Sequence, residues 1–466
     1  MTQSSGQIYE WLRVAVAERG AQRSIYTPET TLTRRGLLTR ADRRATDFRG
    51  MGIEAGDVVA VSLGNSAEYL VMLLALSKLG AISMPVDPAN GDRVLCEALA
   101  RIPTRAVVRR PRGQESAQIE YPPQYNLRSS RRLPGSMTSI DLLETASRHE
   151  LPGDTQLLVA AIAGDTVTRD VVRTGSQLVA IGKAAAELMG LDADCRLLCI
   201  EPLTSPRFFD PVLLGWLASP AQLAMSDGGG LEAGLALTRT ASRVVVVNAI
   251  RGFLELARAA ARNGDQVPIV PVIPEATVPI DASLPCKRSF GREPIQLLQL
   301  EECGLIAGRA MIKGERFTVP KHVQIEAGHP LGDGQEILMH GPQCGQVVPE
   351  PPPGQPNTPV EGRPEWRHTG YVGRFSGRRL RSVLGRQDGL VNIEGRRASI
   401  AVIRDRMLEH RRITAAQPSI EYTRDGDPVL TLRYHATGHT DVDDIEEHAI
   451  GHLAPYMVPR VFTRVD

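Results

Sequence analysis

Side chains able to neutralise a phosphate or attack a carbonyl are unevenly spread along the 466 residues. Lys321 is the last lysine, and the 145 residues after it carry only arginine as a permanent cation. An ammonium is a point charge on a flexible stem and a guanidinium is a planar fork, so the two are not interchangeable in a site. Other ready-made constellations are missing. There is no Gly-x-Ser-x-Gly elbow, no His-Glu-x-x-His pair and no Walker loop; Gly182-Lys183-Ala184 lies in a helical stretch with no Gly-rich run before it. The cysteines at 96, 195, 199, 286, 303 and 344 form no Cys-x-x-Cys, and no histidine or second cysteine pair lies near Cys195 and Cys199 to complete a zinc site. They read as reduced structural thiols. His435 and His439 read as strand or loop surface.

Charge excludes some partners. A formal net charge of +1 creates no field to steer the chain toward nucleic acid or an anionic membrane. Arg101, Arg105, Arg109, Arg110, Arg112, Arg128, Arg131 and Arg132 cluster, but only Tyr121 and Tyr125 interleave with them, which predicts a solvated face and no nucleic-acid site. The longest apolar run, Tyr69 to Leu76, is too short to span a bilayer, and Glu10 and Glu18 interrupt the first twenty residues. Neither a signal peptide nor a membrane span is expected, and the location expected is cytoplasmic.

The elements that must position any site follow from periodicity. Residues 32 to 50 have helical spacing and feed the β-branched run Val58-Val59-Ala60-Val61; residues 66 to 79 form a helix capped by Ser66 and stopped at Gly80. A second β-branched run, Val244 to Val247, follows the loop Asp227-Gly228-Gly229-Gly230 and precedes a helical pattern from Ile250 to Ala261. Alternating strands and helices predict a layered α/β domain with parallel pairing, and 42% hydrophobic residues suffice for a large core plus a small appended domain. The segment 348–359 holds six prolines and reads as an extended, exposed linker. No internal repeat is visible.

Several landmarks in order carry a resemblance. They are Thr31-Leu32-Thr33, Gly52 to Val61, Gly64-Asn65-Ser66-Ala67-Glu68-Tyr69, Met84-Pro85-Val86-Asp87-Pro88, His368-Thr369-Gly370-Tyr371-Val372-Gly373, Leu384-Gly385-Arg386-Gln387-Asp388-Gly389 and Pro455-Tyr456-Met457-Val458-Pro459-Arg460. From about Tyr26 to Asp466 the chain resembles the adenylate-forming (AMP-binding) superfamily, which holds acyl- and aryl-CoA ligases and the adenylation domains of peptide synthetases. The resemblance implies a large layered α/β N-terminal domain, residues 1–387, and a small α+β C-terminal domain, residues 388–466. Asp388 would be the hinge between them, and Gly395-Arg396-Arg397 the loop that its swing carries into the site.

The same resemblance implies ATP with magnesium, CoA or phosphopantetheine, and a small carboxylic acid or thioester. It can be tested residue by residue. In the family a Ser/Thr/Gly loop ending in Pro-Lys-Gly gives N–H groups and a cation to the phosphates. The matching stretch here is Ala163-Gly164-Asp165-Thr166-Val167-Thr168-Arg169-Asp170-Val171. Gly164, Thr166 and Thr168 match nucleotide contacts, whereas Asp170 stands where the lysine would be, and two carboxylates facing a polyanion repel it. The family's Tyr-Gly-x-Thr-Glu element reads Leu298 to Glu302: Glu302 matches the metal-linked glutamate, and Leu298 replaces the ring that stacks adenine. Thr369 and Arg386 match nucleotide contacts, but Tyr371 replaces the ribose-binding aspartate and Ser399 a glutamate. The family's tail continues beyond the Met-Val-Pro element to a catalytic Gly-Lys, and the sequence ends at Asp466, with only Arg460 and Arg464 near. No catalytic residue is therefore assigned. Each lost transition-state donor costs about a hundred- to a thousandfold in rate.

Three readings follow. One is a homologue degenerate for ATP-dependent carboxylate activation that serves as an accessory or binding protein, with an acyl carrier protein or an active paralogue as partner. Another is a divergent active acyl- or aryl-acid ligase, and the third an ATP-independent acyl transferase.

Overall fold

The computed structural model of the chain describes residues 7–19, 23–111, 119–145, 151–163, 166–226, 230–249, 252–253, 255–256, 258, 268–276, 284–312, 315–331, 334–348, 358–386, 390–393, 396–422, 428–438 and 441–465, with the side chains of 159–169 and a few others outside the description. Two eight-stranded sheets enclose a helical layer. In the first, Val58–Ser62 lies between parallel partners Ile82–Pro85 and Ala106–Arg109, and the antiparallel hairpin of Thr155–Ala163 with Thr166–Thr174 extends it. In the second, Cys195–Cys199 lies between parallel partners Gln222–Met225 and Arg243–Val247. Ile269–Ile273 and Ile295–Leu300 continue that sheet in parallel, and Gly304–Ala310 closes it antiparallel. Val244 to Val247 are all buried, as a central parallel strand covered on both faces requires.

The helices between the sheets are set by local signals. Ala67–Leu79 starts where the Ser66 hydroxyl accepts the Tyr69 N–H and ends at Gly80 with φ 72°; its unbroken apolar run is buried on nearly every side. Arg34–Gly50 is capped by Thr33. Gly175–Met189 opens on a reciprocal cap between Thr174 and Gln177. Within it, a Cβ on Gly182 would stand 2.6 Å from the Leu214 carbonyl oxygen, so this helix lies directly on the backbone of Phe209–Leu214. That close approach brings the segment containing Asp210 beside the strand containing Arg173.

Arg110, Arg128, Arg131 and Arg132 are exposed, as a solvated face requires, but three other arginines of the cluster are half-buried. Arg101 reaches the Asp170 carboxylate, Arg105 donates to the Leu143 carbonyl at 3.1 Å and Arg109 to Asp141 at 3.0 Å. Arg34 is buried as well, donating to three carbonyls and stacking at 4.4 Å on Trp216. Long arginine stems allow such interior use because only the head needs polar partners.

Beyond the second sheet, antiparallel strands Gln324–Leu331, Gly334–His340, Arg363–Ser376 and Arg379–Arg386 pack on the apolar side chains of Ile295–Leu300. The following residues build a separate core from helices Ile400–Leu408 and Val442–His452 and strands Ile413–Tyr422, Pro428–Ala436 and Val461–Arg464, centred on Ile403, Leu432 and Ile445. Within the linker, 349–357 lie outside the described residues; Thr358 is buried, which corrects the expectation of exposure there, and its carbonyl accepts the His368 N–H. No helix among the described residues is long and apolar enough to cross a membrane.

Candidate functional site

The stretch matched to a phosphate loop is a hairpin. Ala163 pairs with Thr166, Ile162 with Val167 and Ala161 with Arg169, so the ladder runs through the stretch; Gly164 and Asp165, which connect the strands, lie outside the described residues, as do the side chains of Thr166 and Thr168. Asp170 sits further along the same strand and is buried. Its carboxylate receives Arg101 Nε at 3.0 Å and Nη2 at 2.9 Å, from the last turn of helix Gly91–Arg101. Asp170 is thus engaged by a cation of its own protein, which corrects the reading that it confronts a polyanion.

Three residues on, Arg173 points to the opposite face and makes a fully buried ion pair with Asp210, with Nη1 2.5 Å from Oδ1 and Nη2 3.1 Å from Oδ2. Arg173 Nη2 also donates to the Glu301 carbonyl, and Gln299 Nε2 bridges Asp210 Oδ2 at 3.0 Å and the Pro206 carbonyl at 2.8 Å. Burial pushes the Asp210 carboxyl above its ordinary range, against the opposing pull of Arg173 and Gln299. Sequence reading missed this network. Its one visible signal is an aspartate inside the apolar run Phe208 to Leu217, a place where a charge requires a partner.

Glu301, Glu302 and Cys303 form the turn between Ile295–Leu300 and Gly304–Ala310. Glu302 is buried, and its carbonyl accepts the Gly345 N–H at 2.6 Å. Gly304 ends the turn at φ 64°, and a Cβ there would stand 2.6 Å from Ile181. Among the described residues no group of three or more His, Cys, Asp or Glu side chains is arranged to hold a metal ion.

Thr369, Tyr371 and Arg386 meet on neighbouring strands, with Tyr371 paired to Arg386 in register. The Thr369 hydroxyl donates to the Ile337 carbonyl at 2.6 Å and accepts the Tyr371 N–H at 3.1 Å. The Tyr371 ring joins an apolar cluster with Leu298, Leu300 and Ile306, its hydroxyl 3.5 Å from the Gln299 carbonyl, and Arg386 lies 5.1 Å over the ring. Asp388 and Gly395 lie outside the described residues; Arg396–Ser399 is a strand, and the Ser399 hydroxyl caps the next helix by accepting the Val402 N–H. Arg464 donates to the carbonyls of Ala436 and Gly438. Of the two surface histidines expected, His435 is exposed on its strand and His439 lies outside the described residues.

Comparison with known proteins places this arrangement. The AMP-binding enzyme family model matches residues 12–161. The amide bond synthetase McbA from Marinactinospora thermotolerans has the same fold, with a TM-score of 0.71 at 17% identity, over 99% of this chain and 95% of that one. Novobiocin biosynthesis protein H from Streptomyces niveus is 24% identical over 100% of this chain and 80% of its own length. Residues 12–161 thus match the AMP-binding enzyme family, and the chain as a whole has the adenylate-forming fold. Protein Y from Streptomyces griseus is 37% identical over 101 residues, which are 22% of this chain and 33% of Protein Y.

In this adenylate-forming homologue the positions matched to adenine stacking and ribose binding, Leu298 and Tyr371, belong to one packed apolar cluster. No step through ATP or magnesium is derived.

Proposed function

We propose that this homologue has lost ATP-dependent carboxylate activation and serves as an accessory or binding protein in a secondary-metabolite pathway. The packing of Tyr371 against the Leu298 cluster carries this reading, because adenosine recognition would need that volume open. The ion pairs Arg101–Asp170 and Arg173–Asp210 support it: cations near the matched phosphate strand are already engaged. The likeness to a novobiocin biosynthesis protein points to the pathway class. An acyl carrier protein or an active paralogue is the proposed partner, engaged by a C-terminal unit, 388–466, hinged at Asp388. If the reading fails and nucleotide binds, the residues to meet it are Gly164, Thr166, Thr168, Glu302, Thr369 and Arg386, and a CoA or phosphopantetheine thioester would follow.

The test is pyrophosphate release from Mg-ATP across a panel of carboxylic acids, with the unmodified protein and Asp170→Lys side by side. Neither should release pyrophosphate above background. Asp170→Lys restores the family's residue but sets an ammonium against Arg101 in a buried position, and should lose about 3–5 kcal/mol of stability. Turnover by either protein would sink the accessory reading.

A further inference from the structure

Cys303 and Cys344 lie outside the network described above; Cys303 belongs to the apolar cluster that holds Tyr371, and Cys344 packs against the same cluster. They are 41 positions apart in the chain (344 minus 303). Their backbones are held together from both sides: the Gly345 N–H donates to the Glu302 carbonyl at 2.6 Å, and Gln177 Nε2 donates to the Cys344 carbonyl. Cys303 is 1% exposed, whereas Cys344 is partly open to solvent. Cys344 Sγ also lies 3.9 Å from the Met339 thioether. The remaining cysteines offer no rival pair of this kind. Cys195 and Cys199 lie four apart on one strand, about 13 Å along it, which exceeds disulfide reach. Cys96 and Cys286 lie on separate elements in different clusters.

We propose that Cys303 and Cys344 are a dithiol that closes to a disulfide under hydrogen peroxide, stapling the turn 301–303 to the segment that enters strand Gln346–Val348. The partly open member, Cys344, reacts first. The Cys344 thiolate attacks one peroxide oxygen and the O–O bond breaks, giving a sulfenic acid and hydroxide, which the released thiol proton converts to water. Cys303 sulfur then attacks the Cys344 sulfur and expels hydroxide, which takes the Cys303 proton. Two thiols and one peroxide become one disulfide and two waters, each sulfur oxidised by one electron and the peroxide reduced by two. The hydrogen bond to Cys344 and burial push the Cys303 thiol well above its ordinary range, which fits Cys303 as the second, resolving sulfur. Because strand Gln346–Val348 pairs with Thr166–Thr174, the staple would tie the Glu302 turn to the strand bearing Asp170 and Arg173.

The experiment treats the 466-residue chain with micromolar hydrogen peroxide, alkylates free thiols and maps the non-reduced digest by mass spectrometry. The expected product is a Cys303–Cys344 linked peptide, two hydrogens lighter than its reduced parts, that dithiothreitol reverses while Cys96 is alkylated. In Cys303→Ser the link should disappear and Cys344 should be captured as a sulfenic acid by dimedone, a result that loss of packing alone would not give. Finding Cys344 oxidised in the unmodified protein while Cys303 stays a free thiol would overturn the proposal. So would oxidation confined to Cys96.

Discussion

Arg173→Leu is expected to lower stability by about 3–5 kcal/mol, the usual cost of removing one partner from a fully buried ion pair. The loss comes from three directions. Asp210 keeps a buried charge with only Gln299 to meet it, the Glu301 carbonyl loses its donor, and a carboxylate without a cation in the interior is driven to take up a proton. The pH dependence has a definite sign. The Asp210 carboxyl is already raised by burial, and losing the guanidinium raises it further, so the folded variant binds the proton more tightly than the unfolded chain. The deficit should be smallest below about pH 4, where both states are protonated, and should grow as pH rises through the folded value. Arg173→Leu with Asp210→Leu should recover most of the loss, because an apolar pair of similar volume often matches or exceeds a buried ion pair. Urea unfolding of the single and double variants across pH checks both. A double variant as unstable as the single one would show that the pair is held for more than charge compensation.

Tyr371→Asp, which restores the family's ribose-binding residue, is expected to cost about 3–5 kcal/mol and to confer no nucleotide binding. Tyr371 is 8% exposed and packs with Leu298 and Leu300, so aspartate would leave an aromatic-sized void and put a carboxylate into an apolar wall. Tyr371→Phe isolates the hydroxyl. Its contact with the Gln299 carbonyl is long, at 3.5 Å, so the change should cost about 1 kcal/mol or less. Thermal unfolding of the two variants, followed by ATP titration of whatever stays folded, separates packing from recognition. Micromolar ATP binding by Tyr371→Asp would mean that one side chain had closed an otherwise intact pocket.

The scaffold was legible in the sequence where local rules dominate. Ser66 and Gly80 bracket the helix Ala67–Leu79, and the runs at Val58 and Val244 form parallel strands, because capping groups, positive-φ glycine and β-branched runs act over a few residues. The site was legible only as a series of mismatches. Leu298, Asp170 and Tyr371 announce lost contacts, but what replaces those contacts depends on distant partners. Arg101 meets Asp170 across 69 positions, Arg173 meets Asp210 across 37, and Tyr371 meets Gln299 across 72. No periodicity encodes such pairings. Part of the arginine cluster departs from a solvated face for a related reason: composition alone cannot distinguish a solvated arginine, such as Arg131, from one whose head finds a buried carboxylate, as Arg109 finds Asp141.

The decisive measurement is calorimetric titration of the purified 466-residue chain with Mg-ATP and, separately, AMP, since it requires no knowledge of the acid. With Leu298 and Tyr371 packed together, no saturable heat is expected from either nucleotide up to millimolar concentration. Saturable binding in the micromolar range would contradict a closed adenosine site and return the protein to the active ligases of its superfamily.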